Sequence, residues 1–296
     1  MKTHTQKWNN NTLAAAVFIL PSLIGFIAFF AFPTIRGLFL SFTDWDLLSK
    51  PKFIGLKNYH ILLNDPDFWN SVKVTMLYVL WNVPVQTVLA LCIALVMDRV
   101  TSSGIIRGIL LMPWILSNVV VALLWMWMMD SSLGLLNAWI TGLGLPSVPF
   151  LTSTSLALPS MAAINIWRHM GYTGLIVFAG LQGIPKEIEE ASLIDGAGPV
   201  RRFFSIILPY LQPVLAFVVL TSVVGSFQIF DTVSVITHGT GGPVASTYVL
   251  YLYIYKNGLE MYRMGYSSAA SITLFLFLVL VSVIQMKVMK GNRTDF

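Results

Sequence analysis

The sequence predicts an all-α, polytopic membrane protein of about six transmembrane helices, and three observations carry that prediction. Of 296 residues, 56% are hydrophobic and only 10% are charged, against roughly a quarter charged in an ordinary soluble protein. Mean hydropathy is +0.76, so a soluble fold of this length lacks the polar surface to cover its apolar residues, and lipid must be the solvent for much of it. The apolar residues also gather in runs poor in Asp, Glu, Lys and Arg, at about 13–35, 74–97, 108–129, 156–181, 208–236 and 265–286. Each run is long enough to cross a hydrocarbon core of about 30 Å as a helix.

Taken in order, the first run follows MKTHTQKWNNN, which looks like the basic front of a signal peptide. The run is too long for a signal core and no small-residue cleavage site follows it, so it is predicted as a retained helix. Pro21, Pro84 and Pro113 lie inside the first three runs. They can kink their helices, and neighbouring helices must then satisfy the freed carbonyls. Cys92 is the one cysteine and sits inside the second run. No intramolecular disulfide is possible, and a redox role is not expected.

Orientation follows from Lys and Arg near the helix ends. With the N-terminus in the cytoplasm, the inner segments hold Lys2 and Lys7, then Arg99 and Arg107, then Lys186, Arg201 and Arg202, then Lys287, Lys290 and Arg293. The outer loop 130–155 holds none, and the outer stretch 237–263 holds Lys256 and Arg263. The exception is the first outer loop, about 44–70, with Lys50, Lys52 and Lys57 accompanied by Asp44, Asp46, Asp65 and Asp67. Both ends are thus predicted inside, with a short segment 1–12, a membrane domain 13–290 and a tail 291–296. The net charge of +5 and pI of 9.3 follow from this topology, and nucleic acid is not an expected partner.

Between the fourth and fifth runs lies the most charged cytoplasmic stretch, about 182–209. PKEIEEASLIDG fits a short helix, with Pro185 suited to the first turn and Glu187, Glu189 and Glu190 near the positive end of its dipole. Ile188, Ala191 and Ile194 or Ser192 give a small apolar face. Gly196 and Gly198 can end the helix in a tight turn, to which Asp195 can supply a side-chain cap. Pro199 then starts a second helix whose Phe203, Ile206 and Ile207 lead into the fifth run. The physical reading is a helix–turn–helix elbow, with a solvated, ordinarily capped loop as the plainer alternative.

The spacing of this stretch resembles the EAA loop of permease subunits in bacterial ATP-binding-cassette (ABC) importers. That motif reads E-A-A-x-x-D-G-A, five variable residues, then F-x-x-I-x-L-P. The matching positions are Glu190, Ala191, Asp195, Gly196, Ala197, Phe203, Ile206, Leu208 and Pro209, with Ser192 in place of the second alanine. LSFTDWDLL, FIGLKNYHILLNDPDFW, LLMPWILSNVVVALLWMWMM and GSFQIFDTVSVITHGTGGP look like the carbohydrate-uptake branch, of the maltose, oligosaccharide and glycerol-3-phosphate permease type. The resemblance implies a bacterial inner-membrane permease that carries sugar and is not itself catalytic. It implies a second permease, a heterodimer, a cytoplasmic ABC ATPase dimer that receives the elbow as a coupling helix between helices 4 and 5, and an extracytoplasmic solute-binding protein. A glycerol-phosphate or polyol permease is the alternative substrate class.

No chemistry of other classes is legible. A Walker-type loop is missing, His4, His60, His169 and His238 have no metal-ligand spacing, and no serine sits in a nucleophile elbow. No metal or cofactor is expected. An ion-driven secondary carrier would need acids deep in the runs, and Asp231 is the one candidate. Polar residues inside runs are candidates for the solute path: Asn82 and Gln86 on one face, Asn118, then Asn165 and Arg168 in a stripe with His169 and Tyr172, then Gln228 and Asp231. Amides, carboxylates and aromatic rings suit sugar hydroxyls, although the same groups also serve as interhelical glue. A charge at mid-bilayer costs roughly 2.5–3.5 kcal/mol, so Arg168 should face protein or water. The cluster Trp125 to Met129 reads as an interfacial belt and packing. The loop with Gly239, Gly241, Gly242 and Pro243 is flexible by composition, and the resemblance implies that it faces the solute-binding protein.

Overall fold

The computed structural model describes residues 10–100 and 103–291. Lys2, Lys7 and Arg293, on which the orientation partly rests, lie outside the described residues, as do the side chains of Arg99, Glu189 and Lys290. Among the described residues the regular structure is helical apart from one pair of two-residue strands. It divides into two compact units, one of residues up to 64 with 256–275 and one of 65–255 with 276 onward.

In the first unit, α1 (Asn10–Phe26) and α2 (Phe32–Leu40) run together through a π turn at Ile27–Ala31. The turn lies just ahead of Pro33, and Phe32 N–H donates to the Ile27 carbonyl. Widening the helix there gives the proline ring room against the carbonyl four residues back. The chain then forms an antiparallel hairpin, β1 (Thr43–Asp44) on β2 (Lys52–Phe53), and α3 (Lys57–Leu63). Asn58 is buried and donates to the carbonyls of Ser41 and Thr43, at 2.9 and 2.8 Å. That fixes α3 against the hairpin root.

The second unit begins with α4 (Pro66–Val100), unbroken across Pro84. The third apolar run, expected as one helix, is two: α5 (Gly104–Ile115) and α6 (Asn118–Met128), bent by 92°. A short α7 (Leu135–Gly142) follows, then α8 (Ala157–Leu181), α9 (Lys186–Ile194) and α10 (Pro199–Arg202). A second π turn, Phe203–Ile207, again precedes a proline, Pro209. It leads into α11 (Leu208–Phe227), and a break at 228–230 separates α12 (Asp231–Ile236). The remaining helices are α13 (Leu250–Tyr255) and α14 (Met264–Gly291), the latter reaching into both units.

Among the described residues four stretches are long and apolar enough to cross a membrane, namely Ala15–Leu40, Pro66–Asp98, Pro199–Ile236 and Met264–Lys287, and the bent α5–α6 pair passes the same test when its two helices are taken together. The sixth expected span is α8. At 25 residues it is about 37 Å long, but Asn165, Arg168 and His169 dilute its apolar character. Its buried residues run from Ala157 to Leu181, which is how a helix carrying such groups must sit in lipid. It packs most extensively on α4, with α5 and α11 beside it.

Close approach of α5 depends on Gly171 of α8, where a Cβ would collide with the backbone carbonyl of Leu110. Gly171→Ala is expected to lower the Tm of the detergent-solubilised protein, by about 1–3 kcal/mol of overpacking. Gly225→Ala, with nothing within 4 Å of its added methyl, is expected to leave Tm within the scatter of the unsubstituted protein.

Candidate functional site

Three helices of the second unit share a sequence logic: apolar residues at both ends with polar ones between. One apolar cluster gathers Val74, Tyr78, Met161, Ile164, Ile229 and Val233. The other gathers Ala90, Met97, Val177, Leu181, Leu211 and Val218. Along α4, α8 and α11 the residues between these clusters are Asn82 and Gln86, Asn165 to His169, and Ser222 and Ser226. They meet in one layer. Asn165 Nδ2 donates to Asn82 Oδ1 at 2.9 Å. Asn82 Nδ2 donates to Ser226 Oγ at 2.9 Å and to Gln86 Oε1 at 3.2 Å, and Gln86 Nε2 reaches Ser222 Oγ at 3.3 Å. Asn82 and Gln86 are only 1% and 3% exposed, so these two candidates spend their hydrogen bonds on neighbouring helices. Ser222 and Ser226 were not foreseen, because serine is frequent in every apolar run.

Beside this layer lies the break between α5 and α6. A helix bent by 92° leaves carbonyls without intrahelical donors, which in lipid must be met by protein. Arg168 meets them: its Nη2 donates to the carbonyls of Trp114 and Leu116 at 3.1 and 2.9 Å. Its Nη1 lies 3.1 Å from His169 Nε2, and His169 Nδ1 lies 2.9 Å from the Asn165 carbonyl. A guanidinium only donates and a carbonyl only accepts, so this chain needs a neutral His169 with its proton on Nδ1. Asn118, the first residue of α6, donates to Asp231 Oδ2 at 2.7 Å, and Asp231 opens α12. The bond thus ties the two helix breaks together. Trp114 and Tyr172 stack with ring centroids 4.4 Å apart, an aromatic platform on the two helices that Arg168 joins. The stacking partner of Tyr172 comes from a helix 58 positions away in sequence and was not foreseen. Gln228, in the second break, is exposed.

The elbow forms as α9, a turn and α10. Its turn closes on backbone bonds: Gly196 N–H donates to Leu193 O and Ala197 N–H to Ser192 O, a Schellman motif with Gly196 at φ +70°. Asp195 occupies the C-cap position, but its carboxylate is exposed and makes no capping hydrogen bond among the described residues, which corrects the expected side-chain cap. Ser192 is buried and Ile188 half-buried, whereas Glu190, Ala191, Leu193 and Ile194 are exposed, Ile194 to 86%. The inward face is therefore Ile188 with Ser192, and Ile194, expected on the apolar face, points away from the chain. Phe203 packs on the second apolar cluster and Ile206 is half-buried. Leu208 and Pro209 line a cavity of about 420 Å³ with Phe204, Gln212 and Gln285.

The loop Thr237 to Pro243, expected to be flexible by composition, is held by its own hydrogen bonds. Thr237 Oγ1 accepts from Gly241 N–H at 3.1 Å, and Thr247 donates to the Gly241 carbonyl through N–H and Oγ1. Gly239, Gly241 and Gly242 all have positive φ, and a Cβ added at Gly241 or Gly242 would collide with Tyr248 or Thr247 respectively. The glycines serve a tight fold, and they leave Val244 at the tip 90% exposed.

Residues 75–291 match the family model of the binding-protein-dependent transport system inner membrane component. The chain is 32% identical over 277 residues to the trehalose/maltose transport system permease protein MalF of Thermococcus litoralis, covering 93% of both. It is 31% identical over 274 residues to the sn-glycerol-3-phosphate transport system permease protein UgpA of Pectobacterium atrosepticum, covering 92% of both. A crystal structure of a bacterial ABC transporter importing the acidic polysaccharide alginate has a chain of the same fold. Its TM-score is 0.80 at 24% identity, over 96% of this chain and 97% of that one.

Two outcomes follow from the polar layer. Arg168→Met should free the carbonyls of Trp114 and Leu116, and amide hydrogen exchange across residues 113–121 should rise while that of α9 stays unchanged. Asn82→Leu removes three interhelical or intrahelical bonds. At about 0.6 kcal/mol each in a membrane the loss is roughly 2 kcal/mol, readable as a lower Tm in detergent.

Proposed function

This chain belongs to the family of binding-protein-dependent transport system inner membrane components, and from that premise we propose that it forms half of the path of an ATP-driven sugar importer. The observation that carries the coupling role is the elbow. Its motif spacing runs from Glu190 to Pro209, its turn closes on backbone hydrogen bonds, and Leu193, Ile194 and Val200 stand exposed among the described residues. Such a surface suits a cleft on a cytoplasmic ATPase, with Glu190 placed to meet a basic group. A second, non-identical permease would complete the path, and an extracytoplasmic solute-binding protein would deliver the sugar to the loop at Gly239, Gly241, Gly242 and Pro243. The elbow then faces the cytoplasm together with both termini.

The solute path is best sought where polar groups remain accessible, at Gln228, Asp231, Asn118 and the Trp114–Tyr172 stack. Asn82 and Gln86 are better read as glue. Among relatives, permeases named for trehalose/maltose and for glycerol phosphate are similarly close. Arg168 gives its Nη2 to two backbone carbonyls and its Nη1 to His169, so few of its donors remain for a phosphate. This favours a neutral sugar over a polyol phosphate.

In proteoliposomes holding the whole importer, Glu190→Lys and Gly196→Asp are each expected to abolish solute-stimulated ATP hydrolysis and uptake while the subunit still assembles in the membrane. Aspartate at φ +70° and a reversed charge attack the elbow in different ways, so normal coupling in both would remove the assignment. Uptake should follow ATP and be indifferent to ion uncouplers, and the opposite result would favour a secondary carrier.

A further inference from the structure

Neighbouring residues of a helix point about 100° apart and do not ordinarily face each other. Arg168 and His169 nevertheless meet on α8, with Nη1 3.1 Å from Nε2. The arginine reaches across to α5 with Nη2 and is turned back on its own helix by Nη1. Its Nε is buried without a hydrogen bond among the described residues, so its hydrogen bonds come from the two terminal nitrogens. Nη2 holds one corner through the carbonyls of Trp114 and Leu116. A planar fork held at one corner can still swing about it, and the contact at Nη1 removes that freedom.

His169 is itself held in place. Its Nδ1 lies 2.9 Å from the carbonyl of Asn165, one turn back, and the Asn165 side chain is bonded to Asn82 of α4. The ring is thus anchored to the polar layer on one side and offers a lone pair to the guanidinium on the other. Only a neutral imidazole with its proton on Nδ1 does both, because a guanidinium has no lone pair to receive a proton from Nε2. The contact is therefore specific to an acceptor at this position. An apolar side chain fills the space and leaves Nη1 without that bond in a membrane interior, whereas an amide oxygen of similar reach restores it.

We propose that His169 is a positioning residue for transport. It acts through Arg168: the neutral ring turns the guanidinium onto the two carbonyls and so holds the α5–α6 bend in one geometry. With the bend it fixes the backbone that carries the Trp114 ring onto Tyr172. His169 needs no contact with solute for this role. A bend satisfied by one side chain is only as definite as the direction of that side chain, so losing the acceptor loosens the bend without deleting either carbonyl bond. The role in transport rests on the importer reading above, and the role at the bend does not.

The test compares the whole importer in lipid nanodiscs with His169 retained and with His169→Gln, His169→Leu or His169→Lys in its place. Amide hydrogen exchange across residues 113–121 is expected to stay unchanged in the Gln variant and to rise several-fold in the Leu and Lys variants, with α9 unchanged in all. In nitrogen NMR with isotope-labelled histidine rings, the signals that His169→Gln removes are expected to show a protonated Nδ1 and a bare Nε2 at neutral pH. Solute uptake is expected to survive in the Gln variant and to fall several-fold in the other two. Equal exchange in the Gln and Leu variants would overturn the positioning role, because packing alone would then account for the residue. An imidazolium, or a proton on Nε2, would overturn it as well. Raised exchange with undiminished uptake in the Leu and Lys variants would overturn the role in transport. An importer that moves no solute even with His169 retained counts against the importer reading instead, and the exchange and nitrogen signals still decide the role at the bend.

Discussion

A guanidinium that reaches from one helix to two carbonyls of another is the interaction on which the membrane unit turns. In lipid a broken helix has no water to finish its hydrogen bonds, so the 92° bend between α5 and α6 is permitted only where a donor is supplied. Arg168 supplies it to Trp114 and Leu116. The requirement then spreads. A helix that carries this charge must be interior, so α8 lies against α4, α5 and α11, and it needs Gly171 to let α5 close in. The polar groups that interior helices bring with them must also be satisfied, and the Asn82 network does that.

From this centre the helical stretch Pro199–Phe227 connects the elbow to the second break. Just beyond that break stands Asp231, bonded to Asn118 at the first break. The elbow and the polar layer thus share one helical stretch, and one side-chain bond links the two breaks.

Much of this was legible in the sequence. Six runs and their order followed from apolar length, and the elbow from Pro185, Gly196 and Pro199, because proline and glycine act locally. The breaks were not legible. Pro113 marks the third run, yet the bend comes after Leu116, where the deciding partner is an arginine 52 residues on. Whether Asn82 or Gln228 faces a solute depends on which residues cover it, and periodicity cannot separate one polar stripe from another. Glycine content misled at Gly241 and Gly242, since the same residue that loosens a free chain allows a positive φ in a tight one. At Asp195 local propensity suggested a side-chain cap, and backbone bonds had already closed the turn.

That last result bears on how the elbow can change. Its bend closes on the backbone N–H groups of Gly196 and Ala197, and its inward grip comes from Ile188, Ser192 and Phe203. The outward side chains at 190, 193 and 194 take no part in either. Shape and address are therefore written in different residues. Under the coupling role proposed above, the outward set can drift to follow a changing ATPase, or to reject the ATPase of a neighbouring importer, without the helix–turn–helix having to be rebuilt.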